Sequence, residues 1–333
     1  MTRLAVALLA AAALAGSAHA EKPWTPPRGA DGQPQLSGVW SNASVTLLNR
    51  PPGVAKLALS EAEAKAMAAR SPMVRAVAAD AKPSDVNDDL LADGNTGAGY
   101  NTYWMDPGLS LGRVKGEYRT SWIVDPADGR LPLSDAGRAA AQARTTAGAA
   151  VPTGPESLAP WDRCLIASRG TGGPGMLNNI YNSHYQIVQT PDAVVIVVEM
   201  VHDARTIPIF ATKALAQARH GQTPRWLGDS TAWWDGDVLV IETINVHPEQ
   251  GRWGPIFLSA TARVTERLSR ASETQLSYAF EVDDPVYYTQ LWRAEMGLNA
   301  IDGQVYEFAC HEGNYALTGI LGGARVLERQ GGR

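Results

Sequence analysis

The chain has 333 residues, a hydrophobic fraction of 45%, a charged fraction of 19% and a formal charge of −5. That composition belongs to a globular chain rather than a disordered one, and its acidic balance leaves no electrostatic footprint for nucleic acid or an anionic membrane surface. Ten tryptophans stand against four phenylalanines; the indole N–H needs a partner when buried, so tryptophan suits pocket walls as well as cores, core packing being the commoner use.

Residues 1–20 read as a secretory signal peptide: Arg3 in the n-region, an apolar run over 4–15, and Ala18-His19-Ala20 as the cleavage site. The run is too short to span a bilayer, and no later segment offers about eighteen uninterrupted apolar residues. Ser17 stands where a lipoprotein signal would need cysteine. The expectation is a periplasmic or secreted chain that starts near Glu21 and inserts in no membrane. More than three hundred residues then remain, enough for one large domain or two ordinary ones.

Residues 21–60, with P-W-T-P-P-R-G and N-R-P-P-G, predict an extended wrap over the body rather than regular structure. Within it Gly38-Val39-Trp40 resembles the G-x-W signature on the first strand of lipocalin-type barrels. Ser60 with Glu63 forms the capping box of a helix. Residues 80–108 read as loop. Two short strands joined by Pro126-Ala127-Asp128-Gly129 follow, then an Ala-rich helix capped by Ser134 and running to about Arg144. The Gly/Pro-rich stretch 148–160 divides an N-terminal region, 21–150, from a β domain, 160–330.

The β domain predicts strands over 184–189, 193–203 and 205–210, a helical or irregular connection over 211–223, and a hairpin over 226–243. Further strands are expected over 258–268, 275–283, 286–294 and 304–309. Asp235-Gly236 between an aromatic and an apolar run is a strong hairpin signal. Val238, Val240 and Glu242 then share one face, and Leu239, Ile241 and Thr243 the other, so one face carries a lone carboxylate. Eight or nine antiparallel strands imply a mainly β fold: a meander closed into a barrel, lipocalin-like or similar, or two packed sheets.

Cys164 and Cys310 are the only cysteines. In an oxidising compartment they suggest a disulfide, closing a loop of about 150 residues and contributing up to about 4–5 kcal/mol. A metal-binding or nucleophilic role for Cys310, beside His311 and Glu312, is the alternative.

Three groups of residues are candidates for chemistry. At the end of the most hydrophobic strand, Glu199, Asp203 and Arg205 lie on one side and His202 on the other; Arg205 presents a planar fork to a ligand carboxylate, or else pairs with Glu199 at a barrel rim. In A-C-H-E-G-N-Y at 309–315, His311 is a candidate general acid or base and Glu312 its partner, with Asn314 and Tyr315 near the substrate. Asp229 is a pocket carboxylate or a turn residue, Trp234 a pocket wall, and Asp235 and Asp237 belong to the turn. A 2-His-1-carboxylate metal site would need His202, His311 and Glu199 to meet; no cofactor is otherwise implied. R-G-T-G-G-P-G at 169–175 lacks the strand–helix context of a phosphate cradle.

The blocks W-D-R-C at 161–164, N-N-I-Y-N-S-H-Y-Q-I-V-Q at 178–189, E-M-V-H-D-A-R at 199–205, G-D-S-T-A-W-W-D-G-D-V-L-V-I-E-T at 228–243 and A-C-H-E-G-N-Y resemble those of a group of exported bacterial proteins for which no activity is established. The resemblance covers about half of the chain, between roughly 160 and 328, and implies no reaction or site residue. A smaller or more polar run would be expected where this chain has Thr231-Ala232-Trp233-Trp234.

Two functions are consistent with these features. The first is an exported enzyme doing metal-free acid–base chemistry, as a lyase, isomerase or hydrolase, on a small, partly apolar organic molecule. His311 would transfer the proton, Glu312 or Glu199 would assist it, and Arg205 or Asn314 would position substrate. The alternative is a periplasmic barrel that binds a small molecule in a tryptophan-lined cavity without catalysis.

Overall fold

The computed structural model describes residues 24–80 and 105–331; the expected leader and most of the 80–108 loop lie outside them. The first half holds β1 (Gly38–Ser41), β2 (Ala58–Leu59), α1 (Glu61–Ala68), α2 (Pro72–Asp80), β3 (Arg113–Val114), β4 (Glu117–Arg119), β5 (Ile123–Asp125) and α3 (Asp135–Ala149). The second half holds β6 (His184–Gln189), β7 (Ala193–Val198), β8 (Ala204–Phe210), α4 (Lys213–Gln217), β9 (Asp229–Asp235), β10 (Val238–Ile244), α5 (Pro248–Trp253), β11 (Arg263–Arg270), β12 (Gln275–Asp283), β13 (Trp292–Ala300) and α6 (Ala316–Arg329). Both expected caps are present. Ser60 and Glu63 bond reciprocally at α1, and Ser134 Oγ accepts from the Gly137 N–H at α3.

Strands β6 to β13 follow one another around a barrel, and β1 closes it. Trp40 lies opposite Tyr185 of β6 on one side and Ala300 of β13 on the other. The N-terminal stretch therefore does more than wrap the body, because it supplies the ninth strand of the barrel. Trp40 is 2% exposed. Its indole Nε1 donates to the Leu36 carbonyl at 3.1 Å, and the Arg270 guanidinium sits 5.1 Å from its ring. β5 adds to β13 beyond the closure, and β2, β4 and β3 form a small separate sheet.

The barrel is not a simple antiparallel meander, since β8 and β9 are parallel. Parallel neighbours need a crossover of a dozen or more residues, and the expected irregular connection is that crossover: it carries α4 across the outside of the wall before β9 begins. Ala216 of α4 packs there against Trp233 and Val240. Leu239, Ile241 and Thr243 accordingly face inward and Val240 and Glu242 outward, all of them buried. The hairpin turn is Gly236-Asp237, one residue later than expected, because Asp235 pairs with Val238. Gly236 at φ +57° supplies the left-handed first position that glycine accepts without steric cost. Arg28 makes a bidentate contact with Asp237 at 2.8–2.9 Å and ties the N-terminal segment to this turn.

The barrel interior is filled. Trp40, Trp122, Trp292, Tyr185, Tyr278 and Phe280 are among its largest fully enclosed side chains. Residues 171–177, most of the glycine-rich stretch, are buried as a plug. At Gly173 (φ +83°) a Cβ would stand 2.8 Å from Arg205 Nη1, so only glycine lets the backbone pass. The tryptophans expected to line an interior cavity are core instead, and the space beside the plug is about 30 Å³, room for a water or two.

Beyond β13 the strand expected over 304–309 is absent. The β13 edge it would have joined is already taken by β1 and β5. Cys164 and Cys310 form the expected disulfide, with Cα atoms 5.9 Å apart. Among the described residues no helix is long and apolar enough to cross a membrane.

Candidate functional site

β8 and β9 pair only through Ile209–Ala232 and Phe210–Trp233. Upstream of these pairs the strands part, and the wall opens into a cleft of about 470 Å³. Extending the parallel register backwards places Arg205 opposite Gly228. Leu227 (φ +62°) and Gly228 (φ +77°) turn the incoming chain away from β8 at this point, which keeps the gap open.

Arg205 lines the cleft and points into the barrel, 4% exposed. Its Nη1 donates to Glu266 Oε1 at 3.0 Å, and its Nη2 reaches Glu266 Oε2, Ser230 Oγ at 3.2 Å and Thr243 Oγ1 at 3.1 Å. Tyr278 Oη donates to Glu266 Oε1 at 2.6 Å and accepts from the Met176 N–H of the plug at 2.9 Å. Burial opposes both charges, but each ion outweighs it for the other: Glu266 is held below the usual carboxylate range and Arg205 above the usual guanidinium value. Arg205 Nε has no hydrogen-bond partner among the described residues.

The β9 rim is held from behind. Asp229 Oδ2 accepts from the Gly221 N–H at 2.6 Å and lies 3.4 Å from His220 Nδ1, while Arg225 Nη1 stands 3.5 Å from Oδ1. His220 Nε2 meets Glu242 Oε1 at 3.3 Å, and Gln217 and Arg263 also bind Glu242. Burial pushes Glu242 up, but the hydrogen bonds from His220, Gln217 and Arg263 prevail and bring it to about 2. The lone carboxylate read on the outer strand face is thus the anchor of the crossover segment. Trp226 also lines the cleft, stacked on His247 with ring centroids 4.1 Å apart and planes 24° apart.

Two of the expected substrate-binding residues, Arg205 and Asp229, therefore share one cleft. The others do not join them. Trp234 faces the barrel core. His311, Glu312, Asn314 and Tyr315 are exposed on the turn before α6, Tyr315 at 82%, and Asn314 Nδ2 donates to the Cys310 carbonyl beside the disulfide. His202 is exposed in the tight connection between β7 and β8. Among the described residues no group of three or more His, Cys, Asp or Glu is placed to hold a metal ion.

Glu199 is buried, but its partners are neither Arg205 nor His311. Its Oε1 accepts from Asn182 Nδ2 at 2.7 Å and lies 3.2 Å from His184 Nδ1, and its Oε2 accepts from the Tyr306 N–H at 3.1 Å. His184 Nε2 meets Asp106 Oδ2 at 3.1 Å. The hydrogen bond to Asp106 raises the His184 pKa and lowers that of Asp106. His184 therefore adds stability below its ordinary value of 6.5 and loses it as pH rises through the higher folded value. Asp106 adds stability above its ordinary 3.8 and loses it as pH falls through the lower folded value. The expected result is a stability difference between wild type and His184→Gln that is greatest between these limits and shrinks above neutrality. Urea unfolding at a series of pH values measures it, and a difference that grows with pH would contradict the assignment.

Sequence reasoning missed Glu266, His220, Trp226, Arg219 and Arg225. Glu266 had a signal, since it alternates with Val264 and Leu268 on an otherwise apolar strand face, as Arg205 does with Ile207. Two opposite charges on inward faces are the trace of a buried pair. The other four lie in an aperiodic segment that shows nothing of its partners.

Comparison of the chain with protein-family models, with curated proteins and with solved structures returned no match.

Proposed function

We propose that this chain, exported from the cell, binds a small, partly apolar organic molecule in the cleft between β8 and β9. The observation that carries the proposal is an opening of about 470 Å³ in the wall of a barrel whose interior is full. That volume lies within the roughly 300–1,000 Å³ of small-molecule sites. The cleft joins apolar walls, at Pro208, Phe210 and Leu227, to polar groups at Arg205, Ser230 and Asp229, the mixture that fixes a ligand's orientation.

Thr206 is exposed on β8 and lines the cleft, so Thr206→Trp fills the opening without disturbing the core. Compounds found to bind wild type by ligand-observed NMR are expected to lose binding to Thr206→Trp while its melting curve stays unchanged. If the compounds bind the variant as tightly, the site lies elsewhere and the proposal falls.

A second reading, acid–base chemistry, draws on Asp203. Burial pushes its carboxyl up to about 6, against the pull of the Ala167 N–H that donates to it. A carboxyl tuned towards neutrality is suited to proton transfer; that of Asp203 packs on Ala167 and Gly172 on the plug side, not in the cleft, with Leu227 against the same Gly172. If Asp203 transfers the proton, Asp203→Asn abolishes turnover and spares binding in the cleft; turnover that survives the change removes this reading.

A further inference from the structure

We infer that the cleft's ligand is a planar aromatic monocarboxylate, its ring against Trp226 and its carboxylate among the cleft's guanidinium groups; the inference rests on the cleft being the ligand site. Three guanidinium groups line it, those of Arg205, Arg219 and Arg225, and one carboxylate, that of Asp229. Arg205 is neutralised by Glu266 behind it. Arg225 has Asp229 at 3.5 Å. Arg219 has no carboxylate within ion-pair distance among the described residues. One positive charge is therefore uncompensated in the lining of a chain whose formal charge is −5. A single anionic group on the ligand matches it, whereas a second would be in excess.

The donors at the rim agree with an acceptor-only group. Arg205 is enclosed and its fork is taken by Glu266, whereas Arg219 and Arg225 are exposed at the rim. Arginine forks favour carboxylates because two parallel N–H bonds match two oxygens.

The aromatic part follows from Trp226. Its ring is fixed by the stack on His247, and His247 is itself held as the cap of α5 by accepting from the Glu249 N–H. A pre-fixed indole at the wall of a cleft gains an aromatic partner without ordering cost, and such ring pairs are favourable beyond the area they bury. Leu227 and Pro208 bound the same space.

The test uses 2-naphthoate and its neutral isostere 2-naphthamide, titrated calorimetrically into wild type, Arg219→Gln, Arg225→Gln, Trp226→Leu and Thr206→Trp. The expected result is that the acid binds roughly tenfold or more tightly than the amide. That preference should fall severalfold in either arginine variant, and Trp226→Leu should weaken both compounds. Arg219 and Arg225 are exposed, so unchanged melting curves are expected for their variants. If acid and amide bind equally and Thr206→Trp blocks both, the charge inference is overturned and the cleft remains the site. If the acid binds Thr206→Trp as well as wild type, the cleft itself is lost. Failure of both compounds to bind at millimolar concentration overturns the ligand class, while other compounds blocked by Thr206→Trp would still uphold the cleft.

Discussion

Glu266→Gln is expected to lower the free energy of unfolding by about 3–5 kcal/mol, the range for removing one member of a buried ion pair. Glu266 is 1% exposed and Arg205 4%. The substitution preserves shape and leaves an acceptor for Tyr278 and Arg205 Nη1, but it strands the Arg205 charge inside the barrel with neutral partners alone. Arg205→Met combined with Glu266→Gln should recover part of that loss, because no charge is then buried unpaired. Urea unfolding of the three variants measures both effects. The wild type should also lose stability more steeply in acid than Glu266→Gln. Glu266 has a depressed folded pKa, so its contribution is present above the ordinary carboxylate value and disappears as pH falls through the folded one. A loss below about 1 kcal/mol in Glu266→Gln would mean that the pair is solvated, as exposed pairs of that magnitude are.

Trp40→Ala is expected to cost about 3–5 kcal/mol, the range for truncating a large aromatic side chain in a packed core. The indole fills the barrel where β1 bridges β6 and β13, bonds the Leu36 carbonyl and supports Arg270. Its loss leaves a cavity at the seam that closes the barrel, so hydrogen exchange of the Tyr185 amide, opposite Trp40, and of the Ile301 amide, which donates to the Val39 carbonyl, should accelerate along with the fall in stability. Trp40→Phe should cost less, and Trp24→Ala, at an exposed residue of the same segment, little. If Trp40→Ala costs no more than Trp24→Ala, β1 is an attached strap and not a barrel strand.

These two residues also show how far the fold was legible. Trp40 was marked by G-x-W, and the structure makes that short stretch a closing strand within an otherwise extended segment. The caps at Ser60 and Ser134, the 275–283 strand and the alternation along 238–243 were all readable, because each depends on residues a few positions apart. The cleft was half legible. Arg205 and Asp229 stood out as charges at strand ends, but the partner proposed for Arg205 was Glu199, six residues away, and the actual one is Glu266, sixty-one away. His311 stood out for its neighbours in the chain, yet the turn that carries it projects outward, because Cys310 is drawn to Cys164 and no sheet edge remains for the segment before it.

The sequence by itself marked most of the elements and their faces and favoured the disulfide pair, since capping, side-chain alternation and a lone pair of cysteines are local or countable properties. Only the tertiary structure decided which strand closed the barrel, that β8 and β9 run parallel, and that their parting leaves a cleft walled by Trp226 and three arginines. Those outcomes turn on which distant segments find each other once the crossover is laid outside the wall, and a hydrophobic pattern that says inward or outward does not say opposite what.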